Sequence, residues 1–385
     1  MISTNSSRSC APRRNRPTDP VASAADRRFM RLAIGLGMRG LGQVWPNPAV
    51  GCVLVRDGRV LARGWTQPGG RPHAEAVALA RCDAGGATAY VSLEPCAHHG
   101  KTPPCATALT EAGVARVVTA LTDPDPRVAG QGHAILRAAG VEVVEGVEAE
   151  AARKAQAGFL SRVTTGRPLV TLKLALTLDG RIATAAGESR WITGGLARRV
   201  VHGLRACHDA VLVGGGTARA DDPDLQVRGL GVARQPVRIV ASRGLDLPVQ
   251  GRLAASARAV PVWLLHGPGA PVAAQASWRA AGAELVAVAE GVGGLDPALM
   301  LQALGARGLT RVLCEGGGAL AAALLRAGLV DELVVFAAGR LIGAEGRAGV
   351  GPLGLDRLAD APHFDLVGVQ PVGGDVLQRW RRAGV

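Results

Sequence analysis

Apolar positions along this chain fall into two rhythms. Short runs of β-branched and aliphatic residues, closed by glycine, proline or aspartate, predict strands; stretches with apolar residues every three or four positions predict helices. Residues 26–37 carry Phe29, Ala33 and Leu36 at helical spacing, and Pro46-Asn47-Pro48 ends that segment. Residues 49–55 and 60–65 flank Asp57-Gly58, a strong hairpin signal. A helix over 73–82, a strand over 89–93, a helix opened by Pro103-Pro104, a strand over 115–121, a helix over 131–139 and a strand over 141–144 follow. An alanine-rich helix over 148–162 leads to the connector Thr164-Thr165-Gly166-Arg167-Pro168. A second series then begins, with strands at 169–176, 210–213, 237–240, 260–265, 285–288, 311–314 and 333–337, and helices at 196–206, 297–306 and 319–327. Strands alternating with helices predict layered α/β domains.

With 385 residues the chain is long enough for two cores. The expected division is a disordered leader over 1–25, a first domain over 26–147, a connecting helix and linker over 148–168, and a second domain over 169–385. No apolar run is long enough to span a bilayer. The leader, with Ser3, Ser6, Ser7, Arg13 and Arg14, lacks the apolar stretch of an export signal. Seven cysteines, an odd number, do not suggest a disulfide framework and point to a reducing, cytoplasmic setting. The net charge of +13 comes almost wholly from arginines scattered along the chain. Scattering suits phosphorylated small substrates better than a dedicated nucleic-acid arm. With one tyrosine and four phenylalanines, stacking platforms for bases are thin.

The chemistry is concentrated in two places. His73-Ala74-Glu75 is followed by Pro95-Cys96 and by Cys105. One imidazole and two thiolates give a tetrahedral zinc site with one open position, where a water would be acidified. A carboxylate beside it that does not bind the metal can shuttle protons, which is the logic of zinc deaminases. Cys96, after a strand and a proline, is expected at a loop or helix start, where its thiolate is favoured. Cys96 and Cys105 are further apart than the general deaminase pattern has them. By residue type alone an ordinary His–Glu pair and two core cysteines would read the same, and His98 and His99 are rival ligands. The insert His98-His99-Gly100-Lys101-Thr102-Pro103-Pro104 is polar, basic and proline-braced, as a loop meeting an anion would be.

The second place is a pair of glycine clusters after predicted strands, Gly214-Gly215-Gly216-Thr217 and Glu315-Gly316-Gly317-Gly318. Glycines there let backbone N–H groups approach a pyrophosphate. Neither has the G-x-G-x-x-G fingerprint, and tight turns alone would also account for them.

Both halves resemble one known family. Pro46-Asn47-Pro48-Ala49-Val50-Gly51-Cys52, His73-Ala74-Glu75, and the run from Glu94-Pro95-Cys96 to Pro103-Pro104-Cys105 look like the deaminase half of the bifunctional riboflavin-biosynthesis deaminase–reductases. Lys173 to Gly180, the segment Gly187-Glu188-Ser189-Arg190-Trp191, Gly214 to Arg228, and Glu315 to Leu320 are similar to the reductase half. The resemblance implies a cytidine-deaminase-like α/β/α layered domain followed by a dihydrofolate-reductase-like α/β domain. It implies zinc on His73, Cys96 and Cys105, Glu75 as proton shuttle, and Asn47, His98 and Lys101 near the deaminase substrate. For NADPH it implies Ala175, Trp191, Thr217, Asp221, Ser242, Gly317, Gly318, Ala319, Leu320, Ala321, Ala322 and Ala323. For the reductase substrate it implies Ser189, Arg205, Leu225, Arg228 and Glu315, with the two arginines as phosphate clamps.

The expected function is therefore hydrolytic deamination of 2,5-diamino-6-(5-phosphoribosylamino)pyrimidin-4-one. NADPH reduction of the ribosyl group of the resulting uracil would follow. A small phosphoribosyl pyrimidine is the expected partner, with neither nucleic acid nor membrane; the resemblance also allows a homo-oligomer. The rivals are a nucleoside or nucleic-acid deaminase with a structural second domain, and a binding protein that lost the chemistry. The motifs do not interleave across the connector, so each half is expected to work by itself.

Overall fold

The computed structural model describes residues 22–97, 103–126, 128–232 and 234–384. The first half is built from α1 (Ala24–Gly37), β1 (Gly51–Arg56), β2 (Arg59–Trp65), α2 (Ala74–Leu79), β3 (Thr88–Val91), α3 (Cys105–Glu111), β4 (Arg116–Thr119), α4 (Gln131–Ala138) and β5 (Glu142–Val144). Ser23 and Asp26 form a capping box at the start of α1. The five strands order as β2-β1-β3-β4-β5. β1 runs antiparallel to both neighbours, whereas β3, β4 and β5 are parallel. Helix α1 packs on β1 and β3, while α2 lies on β1 and β2 and meets α3, which meets α4. The result is an α/β/α sandwich around Met30, Ala33, Cys52, Leu54, Val91, Leu109 and Val117. Helix α5 (Ala149–Thr165) packs against α1, and its Ala152 and Phe159 join this core.

The second half contains β6 (Leu169–Thr177), β7 (Arg181–Ala183), α6 (Gly195–Ala206), β8 (Ala210–Gly214), α7 (Gly215–Asp221), β9 (Val237–Ala241), α8 (Arg252–Ala255), β10 (Val262–His266), α9 (Val272–Ala281) and β11 (Glu284–Ala287). It continues with β12 (Glu290–Gly291), β13 (Gly294–Leu295), α10 (Pro297–Ala306), β14 (Arg311–Gly316), α11 (Gly318–Arg326), β15 (Glu332–Ala338), β16 (Arg347–Ala348), β17 (Phe364–Val372) and β18 (Asp375–Arg382). Nine strands make one sheet in the order β11-β10-β9-β8-β14-β6-β15-β18-β17. All neighbours are parallel up to β15, and the C-terminal hairpin adds antiparallel strands. Ala210 and Leu212 of β8 feed one apolar cluster, Val211 and Val213 the other. Both faces are thus covered, which is why these strands read as unbroken apolar runs. Among the described residues no helix is long and apolar enough to cross a membrane.

The predicted strands of the second half all form, with ends moved by a residue or two. Several elements add to the sequence reading. The glycine cluster after β8 opens the helix α7, α9 is an added helix, and the β17–β18 hairpin follows β15. Of the two settings expected for Cys96, a loop or a helix start, it takes the loop. Cys105 is the first residue of α3, and Cys96 lies in the preceding loop.

Candidate active sites

His73 is the N-cap of α2 and Glu75 lies in its first turn. The loop after β3 delivers Cys96, and the start of α3 delivers Cys105. The three ligand atoms all lie within 4.8 Å of one another. Nδ1 of His73 is 3.7 Å from Sγ of Cys96 and 3.4 Å from Sγ of Cys105. The backbone N–H of Cys105 donates to Sγ of Cys96 over 3.3 Å, so the amino end of α3 supports the Cys96 thiolate without containing it. Hydrogen bonds from Cys105 and His73 hold the Cys96 thiol down to about 4, whereas Cys105, sharing the proton, is pushed up. One imidazole and two sulfurs converging from separate elements fit a tetrahedral zinc with one position left over. Glu75 is 3% exposed, and burial beside the Cys96 charge pushes its carboxyl up to about 7. A carboxyl poised near neutrality can both take and return a proton.

Asn47 Nδ2 donates to the Gly70 carbonyl over 2.9 Å, on the segment that leads into His73. His98, His99 and Lys101 lie outside the described residues. Glu94 has no counterpart in the sequence reading of the site. Its buried carboxylate accepts from the backbone N–H groups of Asp123, Gly130, Gly132 and His133 at 2.9–3.4 Å. It fastens Asp123 and residues 130–133 beneath the Pro95-Cys96 turn; its place immediately before Pro95-Cys96 was the available signal.

In the second half, β9, β8, β14 and β6 are neighbours, and their carboxyl ends carry the candidate groups, as ligand sites of open parallel sheets do. Ser242 follows β9, Thr217 lies in α7 after β8, Glu315 lies at the end of β14 with Gly317 just beyond it, and Ala175 lies near the end of β6. Helix α11 starts behind Gly317 with no side-chain cap, leaving its first amides for an anion. Gly317 has φ of 87°, and a Cβ there would stand 2.9 Å from Thr217 Oγ1, so bare backbone is needed at this turn. This cradle fits a dinucleotide pyrophosphate. Ala319 is exposed and Leu320 and Ala323 half-buried, while Ala321 and Ala322 face the core, leaving them only backbone to offer. Trp191 is 62% exposed, with the Arg198 guanidinium 4.4 Å above its ring. The Asp221 carbonyl accepts from Arg190, and the Ser242 hydroxyl donates to Asp246 over 2.8 Å.

Arg205 binds Glu315 through both nitrogens of one edge, at 2.5 and 2.9 Å, and donates its remaining nitrogen to the Gln226 carbonyl. Its fork is therefore engaged by a carboxylate, which leaves Arg228 as the better phosphate clamp. Arg228 is exposed, and its guanidinium has no ion-pair partner among the described residues. Leu225 is buried with φ of 57°, a strained conformation in a non-glycine residue beside Arg228. Ser189 is half-buried just before Arg190 and Trp191. Lys173 lies next to this pair on β6; burial lowers its ammonium pKa, opposed by Glu315 and reinforced by Arg205. It was hidden in the sequence by the apolar strand that holds it.

Residues 23–121 match the family model for the cytidine and deoxycytidylate deaminase zinc-binding region. Residues 168–378 match the model for the RibD C-terminal domain. The chain is 42% identical to riboflavin biosynthesis protein RibD of Escherichia coli (strain K12), over 91% of this chain and 98% of that one. It is 39% identical to the protein of the same name from Haemophilus influenzae, over 94% and 99%. The fold superposes on Acinetobacter baumannii RibD, form 2, with TM-score 0.84 and 38% identity, covering 93% and 99% of the two chains. A Thermotoga maritima diaminohydroxyphosphoribosylaminopyrimidine deaminase/5-amino-6-(5-phosphoribosylamino)uracil reductase gives TM-score 0.81 at 35% identity, with the same coverage.

Proposed function

The chain belongs to the RibD family of bifunctional riboflavin-biosynthesis deaminase–reductases, and on that premise we propose how its residues divide the two reactions. It is a zinc-dependent deaminase and an NADPH-dependent reductase of a small pyrimidine substrate. The observation that carries the assignment of roles is the meeting of His73, Cys96 and Cys105 around one point, with Glu75 buried in the same helix turn. Matches over nine-tenths of whole deaminase–reductases speak against a merely structural second domain.

In the first reaction His73, Cys96 and Cys105 would hold zinc, which would supply Lewis acidity to a water. Glu75 accepts a proton from that water as it adds to the ring carbon bearing the 2-amino group of 2,5-diamino-6-(5-phosphoribosylamino)pyrimidin-4-one. The C–O bond forms, the C–N bond breaks, and Glu75 returns the proton to the departing ammonia. Asn47, His98 and Lys101 contact the ring and its phosphoribosyl arm. In the second reaction NADPH, when bound, supplies hydride. Thr217, Asp221, Ser242, Ala175, Trp191 and the Gly317 turn hold the dinucleotide. Arg228 takes the substrate phosphate, while Ser189, Leu225 and the Arg205–Glu315 pair line the ribosyl group. The ribose opens to an imine, C1 accepts the hydride, and Lys173 is the acid placed to protonate the exocyclic nitrogen. The groups proposed for the deamination chemistry lie within residues 26–147 and those for reduction within 169–385. The proposed setting is cytoplasmic and the proposed partner a small phosphoribosyl pyrimidine rather than nucleic acid or membrane, in keeping with the riboflavin-biosynthesis relatives.

The test is Glu75→Gln. It should keep stoichiometric zinc and lose ammonia release, while NADPH consumption on the already deaminated compound persists. Ammonia release at the wild-type rate would remove Glu75 from its role.

A further inference from the structure

The loop between α1 and β1 serves two purposes. It carries Asn47 to the deaminase site, and it is the surface against which the reductase half sits. Gly42 lies so close to the end of α6 that a Cβ would stand 2.4 Å from the Ala206 carbonyl oxygen. One residue further on, the contact becomes specific. Gln43 Nε2 donates to the Arg234 carbonyl over 3.0 Å, and the Arg234 N–H donates back to Gln43 Oε1 over 3.1 Å. The Arg234 guanidinium donates to the carbonyls of Gln43 and Trp45 at 3.2 and 3.4 Å and lies 4.2 Å over the Trp45 ring. Trp45 in turn meets Trp263 of β10 edge-on at 6.3 Å. Its guanidinium feels the charge of Asp209 in its own half, but the hydrogen bonds and ring contact it makes are with the first domain's loop.

From Gln43 the path to the deaminase site is short. The Gln43 carbonyl also accepts the Gly69 N–H at 2.9 Å. The next residue, Gly70, holds Asn47 Nδ2 through its carbonyl, and the chain then reaches His73. The Asn47 N–H is tied to the Val44 carbonyl at 3.1 Å. On the far side Arg234 is anchored in the reductase half. The neighbouring Gln235 clasps Val227 by both its amide atoms, at 2.8 and 3.1 Å, on the segment bearing Leu225 and Arg228.

We propose that Arg234, supplied by the reductase half, is a positioning residue for the deaminase reaction: through Gln43 and Trp45 it sets the loop that holds Asn47 against the pyrimidine. The inference rests on the reading that Asn47 contacts that substrate. Its consequence is that residues 26–147 alone lack a part their own site needs, although no motif crosses the connector.

The test uses the full-length protein with zinc, in four forms: wild type, Arg234→Ala, Asn47→Ala and the double variant. Arg234→Ala should retain zinc and should raise the deaminase KM, or lower kcat/KM, by roughly 10- to 100-fold, the scale of a small misplacement of a substrate-holding group. Reduction of the deaminated compound should stay within about twofold, well inside what a transition-state contact would cost. Because Arg234 acts through Asn47, the double variant should be no worse than Asn47→Ala alone. Wild-type deaminase kinetics in Arg234→Ala beside a damaged Asn47→Ala would overturn the proposal. So would losses that multiply in the double variant, or loss of zinc with both activities, since each marks a merely structural arginine. An unaffected Asn47→Ala would remove the substrate contact and the proposal together. Should Arg234→Ala fail to fold, Arg234→Lys keeps a cation over Trp45 with fewer donors. It should show a smaller KM rise that disappears in the Asn47→Ala background; a rise that persists there overturns the proposal equally.

Discussion

Glu94→Gln changes one atom for another of nearly the same size, yet it should be among the costliest substitutions in the first domain. In the native protein Oε2 accepts from the N–H groups of Asp123 and Gly130 at 3.1 and 3.0 Å, and Oε1 from Gly132 and His133 at 2.9 and 3.4 Å. An amide keeps one oxygen. Wherever its NH2 is placed, two backbone donors face another donor in a site 4% exposed. Hydrogen bonds to a charged acceptor contribute about 1.5–3 kcal/mol each, so the loss should come to ~3–6 kcal/mol, a large part of a domain's stability. The carboxylate also fastens Asp123 and residues 130–133 beneath the turn that presents Cys96, so zinc affinity should fall together with stability. Urea unfolding of the zinc-loaded protein followed by far-UV circular dichroism, with zinc release recorded in parallel, measures both. A loss below about 1 kcal/mol would refute the argument, since it would mean that the four N–H groups find other acceptors or water.

Cys105→Ser should lose zinc or bind it far more weakly, because a hydroxyl is a poor substitute for thiolate. His98→Ala and His99→Ala should keep stoichiometric metal; the reverse pattern in a metal assay would identify the wrong third ligand. Arg228→Ala should raise the reductase substrate KM by about 10- to 100-fold, the equivalent of one charge-assisted pair, with NADPH affinity by fluorescence nearly unchanged. Equal weakening of cofactor would place Arg228 elsewhere. His208 is buried between the Leu204 carbonyl and the Thr171 hydroxyl, and burial lowers its pKa from 6.5 to about 4. Between those values the unfolded chain binds the proton and the native one does not, so the stability present above pH 6.5 should be lost as pH falls towards 4. His208→Gln should flatten that part of a stability-versus-pH curve; an unchanged slope assigns the effect to other groups.

Much of this protein was legible one segment at a time. The candidate zinc ligands His73, Cys96 and Cys105, with Glu75, were legible through the motif they share with the family, since by residue type alone a His–Glu pair and two core cysteines would have read the same. Strands β8, β9 and β14 were legible because a parallel strand covered on both faces must be apolar throughout. Other elements left little trace. Helix α9 buries only Trp278, and the solvent-facing β17 exposes Leu366, Val367 and Val369, so neither carries a clear rhythm. The partners of charged groups were not legible at all. Arg205 and Glu315 are 110 residues apart and meet only because β14 is laid beside β8, and that meeting changes Arg205 from a phosphate clamp into an engaged ion pair. Lys173 acquires its lowered pKa from burial within the sheet, Glu94 its four amides from a loop that folds back under it, and Arg234 its proposed role from a loop of the other half. Local sequence determines which element forms and which atoms can bind a metal, because both depend on neighbours along the chain. Burial, field and hydrogen-bond partners depend on neighbours in space, and only the tertiary structure supplies those.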